Sequence, residues 1–285
     1  MSGKPGSGNP VRGKLDIICQ TPTNFIIAVP ETNNLVFKCQ SLYTNNAVVA
    51  KTTFTNPGAI EYEAAIYERL GDHPRITKCY GVGEIAPNIK ALILERSSIG
   101  CLREYTVKHL NDPHPPMAAR LRMVQDFAEG VAHLHACGVI WCDTSPRNTL
   151  LFTEDWRLKL CDFGTAQFKD VVKDQYEPGK GMYEITYSLP PRGREGDKEL
   201  PPMAEELFAL GSAIFEITEW KMPYFEEGEL IADTKYFHDE LPEPSQDNPA
   251  RDIIRKCWQE EYEAVVDVIR DLEVVRSSWP ILSIQ

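Results

Sequence analysis

Two short strand-forming runs near the middle of the chain, residues 149–152 and 158–160, are closely flanked by polar side chains. Asp143 and Asn148 precede the first run, and Asp162 follows the second, nineteen residues after Asp143. Strand-forming runs separated by a short polar stretch predict two strands joined by a turn. This arrangement constrains the fold most, because it fixes where two acidic side chains and one amide leave the strands.

These side chains suit metal-assisted phosphoryl transfer. A carboxylate on a loop, Asp143, can orient an attacking hydroxyl. The amide oxygen of Asn148 and the carboxylate of Asp162 can hold Mg²⁺ on the phosphates. Mg²⁺ accepts a small number of protein oxygen ligands and fills its octahedron with phosphate and water.

The two halves of the chain differ in their patterns. After a tail rich in Gly, Ser and Pro, the first half is predicted to contain strands at 24–29, 35–39, 47–51, 77–82 and 89–94, with a helix at about 57–70. The second half is predicted to be mostly helical, with helices at 117–137, 203–220, 250–258 and within 262–275. A small β-rich half and a larger helical half predict two lobes with a cleft between them.

The run from Trp141 to Asn148, followed by Asp162-Phe163-Gly164, resembles the catalytic loop H-R-D-x-x-x-x-N and the D-F-G motif of eukaryotic protein kinases. D-F-G alone arises often by chance, whereas the loop, the two strands and D-F-G are specific in combination. The resemblance, to a divergent, fungal-type member of the family, spans about residues 23–275. It implies an α+β, bilobal protein kinase-like fold. A disordered tail at 1–14 would precede a small β-rich N-lobe at 15–97, which contains one helix, and a larger helical C-lobe at 98–285.

The resemblance also implies roles for individual residues. Lys51, paired with Glu63 of the N-lobe helix, would position the α- and β-phosphates of ATP. The backbone of Glu95 and Ser97 would bind adenine, behind Leu94. The roles implied in the catalytic region are deprotonation of the acceptor by Asp143, neutralisation of phosphate charge by Arg147, and Mg²⁺ coordination by Asn148 and Asp162.

Several positions depart from the family pattern. The glycine-rich loop falls on residues 29–34, Val-Pro-Glu-Thr-Asn-Asn, which contain no glycine and therefore predict weak nucleotide binding. Trp141 and Cys142 replace the family's His and Arg. Arg147 stands four residues after Asp143, where tyrosine kinases carry an arginine, so serine/threonine and tyrosine specificity both remain open.

The activation segment departs from the pattern as well. Leu189-Pro190-Pro191 stands where A-P-E is expected, and no arginine follows Trp258 closely, so the buried ion pair between these regions is predicted to be lost from both sides. Because Cys142 cannot pair with a phosphate dianion, activity is predicted not to require phosphorylation of this segment. The segment's potential acceptors are Tyr176, Tyr183, Thr186, Tyr187 and Ser188, and its possible substitute cations are Lys169, Lys173, Lys180 and Arg192.

Composition limits the other classes of function. The formal net charge is −12, which argues against nucleic acid or an anionic membrane as a partner. Eight cysteines without a C-x-x-C pair, a start that lacks an apolar leader, and the absence of a run of about 20 apolar residues predict an intracellular protein, cytoplasmic or nuclear. His133 and His135 are interpreted as packing residues of a helix rather than as metal ligands. Oligomeric state is not indicated.

Three functions therefore compete. An ATP- and Mg²⁺-dependent kinase acting on a protein hydroxyl, with serine/threonine specificity preferred, fits best because Lys51, Glu63, Asp143, Asn148 and Asp162 are all present. A pseudokinase that serves as a binding scaffold is the main alternative, because the loop glycines are missing. A small-molecule kinase of the antibiotic- or choline-phosphorylating type is the third.

Overall fold

A computed structural model describes residues 16–20, 24–28, 35–40, 59–86, 89–95, 97, 99–152, 155–169, 184–192, 202–227 and 229–279. The chain divides into two compact units. The first contains residues up to Glu68 together with Lys78–Arg96, and the second contains Arg69–Thr77 together with Ser97–Gln285.

The first unit contains five described strands: β1 (Asp16–Gln20), β2 (Asn24–Ala28), β3 (Leu35–Gln40), β4 (Cys79–Ala86) and β5 (Ile89–Glu95). They form an antiparallel sheet in the order β1-β2-β3-β5-β4. The predictions for β2, β3 and β5 are confirmed, and β4 begins and ends later than expected. Strand β1 was not predicted from the sequence, and the strand predicted at 47–51 lies outside the described residues.

Helix α1 (Ala59–Leu70) begins in the first unit and ends two residues inside the second. Glu63, Ile66, Tyr67 and Leu70 are all buried, and their spacing of three and four residues places them on one face. An acidic side chain therefore lies within an otherwise apolar stripe. Gly71, with φ of +63°, follows the helix as a left-handed terminator that a residue with a Cβ adopts only at a cost.

The strands of the second unit are short and form two small antiparallel sheets. Strands β8 (Thr149–Phe152) and β9 (Arg157–Leu160) form a hairpin, and β6 (Gly100–Cys101) pairs with β8. Strand β7 (Val139–Ile140) pairs with β10 (Gln167–Phe168). The hairpin that the sequence predicted is therefore present, with β9 starting one residue earlier.

The helices of the second unit are α2 (Leu102–Lys108), α3 (Met117–Ala136), α4 (Pro202–Glu219), α5 (Glu229–Phe237), α6 (Arg251–Trp258) and α7 (Val265–Ser278). Helix α4 is the central element, since every residue from Glu206 to Thr218 is buried and the helix packs against α3 and α6. Helix α3 also packs against α7 and β9. Helices α2 and α5, which are only seven and nine residues long, were not predicted from the sequence.

The segment Arg69–Thr77 belongs to the second unit because its polar groups are satisfied there. Arg75 pairs with Asp126 at 3.0 Å and with Glu129 at 2.9 Å, both on α3. Its carbonyl accepts a hydrogen bond from the backbone of Leu160, and Leu160 accepts one from Thr77. Charge-assisted pairing to a buried carboxylate fixes this segment against the larger unit.

The architecture confirms the predicted α+β fold of a β-rich part and a helical part. Among the helices in the described ranges, none is both long enough and apolar enough to pass through a bilayer.

Close packing of α4 against α6 gives a test of the fold. A Cβ added at Gly211 would lie 2.6 Å from Cys257 Cβ and 3.1 Å from the Trp258 ring. We expect Gly211→Ala to reduce the free energy of unfolding by about 1–3 kcal/mol, because a well-packed helix interface must shift to accept it. Urea denaturation followed by circular dichroism measures the change.

Ser277→Ala on the exposed side of α7 is the control and should change stability by less than about 0.5 kcal/mol. Equal stability of Gly211→Ala and the wild type would contradict this packing of α4 on α6.

Candidate active site

The hairpin β8–β9 brings together the polar residues that flank it in sequence. Thr149 pairs with Leu160, which places Asn148 and Cys161 at the open end of the hairpin. The backbone N–H of Cys161 donates to the carbonyl oxygen of Asn148 at 3.0 Å. Asp162 therefore leaves the hairpin immediately beside Asn148, as the spacing in sequence suggested.

Asp143 is held on the same loop by two neighbours. Nη2 of Arg147 donates to both carboxylate oxygens of Asp143, at 3.1 and 3.2 Å. Nδ2 of Asn148 donates to the carbonyl oxygen of Asp143 at 3.0 Å, which leaves the amide oxygen of Asn148 to serve as an acceptor. The structure thus brings four of the predicted site residues, Asp143, Arg147, Asn148 and Asp162, into one small region of the second unit.

Burial raises the pKa of the Asp143 carboxyl to about 6. The positive charge of Arg147 and the hydrogen bond from Asn148 oppose this rise, whereas the charges of Asp162 and Glu184 add to it. A carboxylate with a raised pKa is a stronger base than an exposed aspartate, which suits a group that accepts a proton from a hydroxyl.

The residues that replace the family's His and Arg have definite structural roles. The Trp141 ring is fully buried, and its indole N–H donates to the carbonyl oxygen of Asp162 at 3.0 Å. Cys142 and Asp162 both have left-handed backbones, with φ of +62° and +60°. Such backbone is uncommon for residues with a side chain and is often found at functional sites.

Helix α4 fixes the start of the catalytic loop through one buried carboxylate. Glu206 is fully buried and accepts hydrogen bonds from the Trp141 backbone at 2.7 Å and from the Thr144 hydroxyl. His135 of α3 also contacts it at 3.3 Å. These bonds satisfy the buried carboxylate and orient the residues on either side of Asp143.

A second buried network, which sequence reasoning missed, lies on the other side of the catalytic loop. Arg103 of α2 donates to both oxygens of Glu216 on α4, at 3.0 and 2.7 Å. It also pairs with Glu184 and donates to the Ser145 hydroxyl, at 2.6 and 3.1 Å. The partners are separated by 42 to 113 residues, so no local pattern indicates them.

The remaining predicted site residues lie at or before the boundary between the units. Glu63 is buried on α1, whereas Lys51 lies outside the described residues, so their pairing stays a prediction. The backbone N–H of Glu95 donates to Lys78, at 2.8 Å, within the first unit. Ser97 belongs to the second unit, where its hydroxyl accepts from Gly100 at 2.8 Å and donates to Leu151.

The family's ion pair behind the activation segment is absent, as predicted, but a different ion pair links the same regions. Arg192, one residue after Pro191, donates to Glu260 at 2.8 Å and to both oxygens of Asp239, at 2.9 and 3.0 Å. It also donates to the carbonyl oxygen of Trp258 at 2.6 Å. The link between these regions is present with its charges exchanged, so Arg192 is already engaged and is not a substitute phosphate-binding cation.

Tyr187 is not available as a phosphorylation acceptor in this fold. Its side chain is 1% exposed, and its hydroxyl donates to Glu216. Burial beside this carboxylate raises the pKa of the Tyr187 phenol, so the group stays a neutral donor. Thr186 and Ser188 are half-buried, whereas Tyr176 and Tyr183 lie outside the described residues.

The two histidines of α3 make packing contacts. The His133 ring stacks on His73 with centroids 4.0 Å apart, and its Nε2 lies 2.8 Å from the carbonyl oxygen of Leu70. Within the described part of the chain, no group of three or more His, Cys, Asp or Glu side chains is arranged to hold a metal ion. A site made of Asn148 and Asp162 alone suits Mg²⁺, which needs few protein ligands when phosphate is present.

The Protein kinase domain family model matches residues 32–264, and the chain belongs to this family. It is 27% identical to mitogen-activated protein kinase kinase kinase 20 of Arabidopsis thaliana over 74% of its own length. It is 27% identical to serine/threonine-protein kinase GIN4 of Saccharomyces cerevisiae over 86% of its length, and 25% identical to serine/threonine-protein kinase PrkC of Bacillus subtilis over 71%. The chain spans only 63%, 21% and 31% of these three proteins.

The exchanged ion pair can be measured by a double-mutant cycle. We expect Arg192→Met and Glu260→Gln each to destabilise the protein, and the double variant to lose about 1 kcal/mol less than their sum, because contacting residues are not additive. The pair is largely buried, with side chains 19% and 24% exposed. Urea unfolding of the four proteins gives the coupling energy.

The matched control is the pair Lys221–Glu226, whose side chains are 37% and 74% exposed. Its cycle should give a clearly smaller coupling than the cycle at Arg192 and Glu260, because solvent screens an exposed pair. Additive losses at Arg192 and Glu260 would show that their contact does not stabilise the segment.

The raised pKa of Asp143 predicts a pH-dependent gain in stability for Asp143→Asn. The pKa of Asp143 in the folded protein, about 6, exceeds its ordinary value of 3.8. The free energy of unfolding of the wild type therefore falls as the pH rises from about 4 to about 6, and above pH 6 it stays lower by the full cost of burying the charged carboxylate. At pH 7.5, without nucleotide, the variant should therefore be more stable by up to about 3 kcal/mol. Thermal unfolding of both proteins from pH 4 to 8 tests this.

Below about pH 4 both side chains are neutral, and the difference should vanish. A difference that stayed constant across this range would mean that the charge of Asp143 is not its source.

Proposed function

We propose that this protein is an ATP-dependent protein kinase that transfers the γ-phosphoryl group to a serine or threonine hydroxyl of a protein. The observation that carries the proposal is the convergence of Asp143, Arg147, Asn148 and Asp162 at the end of the β8–β9 hairpin. Membership of the family supports a phosphotransferase, and the relatives' names include serine/threonine-protein kinases.

In this mechanism Asp143 receives the acceptor hydroxyl and takes its proton. Burial keeps its pKa near 6, so the carboxylate is mostly ionised at neutral pH yet basic enough to assist the transfer. Arg147, half-exposed beside Asp143, would neutralise charge on the transferred phosphoryl group. Trp141 and Glu206 keep the loop backbone in place while these groups act.

Asn148 and Asp162 fit the oxygen ligands of Mg²⁺. The Asn148 amide donates through Nδ2, so its oxygen can face a cation, and Asp162 follows the hairpin directly. When bound with the nucleotide, Mg²⁺ would neutralise charge on the phosphates. Lys51 with Glu63 would position those phosphates, and the backbone of Glu95 and Ser97 would bind adenine.

The broader assignments extend the sequence predictions. We assign residues 15–97 to the N-lobe and 98–285 to the C-lobe, whereas the tail predicted at 1–14 lies outside the described residues. A protein substrate follows from the family, and an intracellular location, cytoplasmic or nuclear, stays part of the proposal. The fungal-type divergence also stays a prediction, because the relatives named above come from a plant, a yeast and a bacterium.

A pseudokinase that acts as a binding scaffold is the second candidate. The observation that favours it is the lack of glycine in residues 29–34, where the family binds phosphate through its backbone. This loop lies outside the described residues. The two functions differ in one measurable property, because only a kinase transfers phosphate.

The test is transfer of radiolabelled phosphate from Mg²⁺-ATP to casein by purified protein. We expect Asp143→Asn to reduce the transfer rate by about a hundredfold or more, because it removes the base. It should still bind Mg²⁺-ATP, measured as a rise in melting temperature with millimolar nucleotide. Asp162→Ala should lose both transfer and the nucleotide-dependent rise.

Glu273→Gln, an exposed change on α7, controls for handling and should match the wild type. Nucleotide binding without transfer in the wild type would favour the scaffold. Wild-type transfer rates in Asp143→Asn would contradict its assigned role and point to a contaminating kinase.

A further inference from the structure

Three polar side chains from the surrounding elements hold Glu184. This residue is the first one that the structure describes after position 169. Its carboxylate pairs with Arg103 at 2.6 Å and lies 3.4 Å from Nε of Arg147. The Ser145 hydroxyl donates to it at 3.2 Å. Glu184 thus connects the segment 184–191 both to α2 and to the catalytic loop.

Arg147 contacts the proposed catalytic base, Asp143, as well as Glu184. Arg147 reaches Glu184 through Nε and Asp143 through Nη2, so one guanidinium bridges the activation segment and the proposed base. Its side chain is 48% exposed, and without a second carboxylate it would have greater freedom to leave Asp143. Glu184 therefore restricts the guanidinium to the orientation in which it contacts Asp143.

The charges in this network show that Glu184 can be changed without leaving a buried charge unpaired. Arg103 pairs through two hydrogen bonds with Glu216, which is 2% exposed, and Arg147 pairs with Asp143. Glu184 is the third carboxylate, shared between the two cations and 25% exposed. Neutralising it leaves two complete ion pairs, whereas removing Arg103 would leave Glu216 buried without its cation.

In kinases whose activation segment is ordered by phosphorylation, an arginine immediately before the catalytic aspartate pairs with the phosphate, and this chain has no cation at that position. Cys142 precedes Asp143, and its thiol is buried, which raises its pKa and keeps it neutral. Arg192 is occupied by Asp239 and Glu260. A permanent carboxylate on the segment, facing Arg103 and Arg147, supplies with the same polarity the kind of charge-assisted contact that a phosphate creates elsewhere.

We propose that Glu184 is a positioning residue that holds the segment 184–191 and Arg147 against the catalytic loop, so that the protein substrate meets an ordered site without prior phosphorylation. The proposal rests on the proposed kinase function for its effect on substrate. Its structural part, the ordering of the segment by a fixed carboxylate, holds independently of catalysis.

Hydrogen exchange of the backbone tests the ordering directly. The amide of Tyr187 donates to the carbonyl oxygen of Glu184 at 2.7 Å, and that of Ser188 donates to Ile185 at 3.1 Å. In phosphatase-treated wild type, both amides should be protected. Glu184→Gln should speed their exchange about tenfold or more, because it removes hydrogen bonds to a charged group.

Kinetics with the same proteins separate positioning from general stability. We expect Glu184→Gln to raise KM for a serine peptide chosen from a degenerate library about tenfold and to lower kcat, while KM for ATP stays unchanged. Glu184→Asp keeps the charge on a shorter side chain and should recover part of the loss. The matched control is Glu226→Gln, a change in an exposed ion-paired glutamate that should leave exchange and kinetics at wild-type values.

Two results would overturn the proposal. One is equal protection of the Tyr187 and Ser188 amides in the wild type and Glu184→Gln. The other needs no variant: a tenfold or greater gain in their protection when dephosphorylated wild type is phosphorylated. If the wild type transfers no phosphate at all, the proposed function fails, while the exchange measurements still decide whether Glu184 orders the segment.

Discussion

Two carboxylates buried on helix α4 organise the second unit. Glu206 and Glu216 are 0% and 2% exposed in a helix whose neighbouring residues are almost all apolar. A charge in such a place is stable only if hydrogen bonds and counter-charges replace its water. Each carboxylate therefore fixes the elements that supply its partners.

The two sets of partners meet at the catalytic loop. Glu206 holds the loop on the side of Trp141 and Thr144, whereas Glu216 binds Arg103 and Tyr187, through which α2 and the activation segment are placed. Ten residues of helix, close to three turns, separate the two carboxylates, so the distance between their partner groups is set by a rigid element. Loop and segment are thus positioned relative to one helix rather than only to each other.

The residues that depart from the family pattern make definite contacts of their own. Trp141 provides a ring N–H to the Asp162 backbone from the position where the family has histidine. Arg192 joins the end of the activation segment to Glu260 with the charges exchanged. Hydrogen bonding and charge pairing depend on the complementarity of the two groups and not on which segment carries which, so an altered motif is compatible with a complete set of contacts.

Features that depend on neighbouring residues could be predicted from the amino-acid sequence alone. The hairpin β8–β9, the long helices α3 and α4, and the grouping of Asp143, Asn148 and Asp162 follow from strand and helix periodicity and from short spacings along one stretch of chain. The short helices α2 and α5 carry too few residues for a periodic pattern to stand out, and β1 lies close to a polar tail. The pairing of Arg103 with Glu184 and Glu216, and of Arg192 with Glu260, depends on the three-dimensional fold and could not be predicted from the sequence. These partners lie 68 to 113 residues apart, and a charged side chain looks the same in sequence whether water or a distant counter-charge satisfies it.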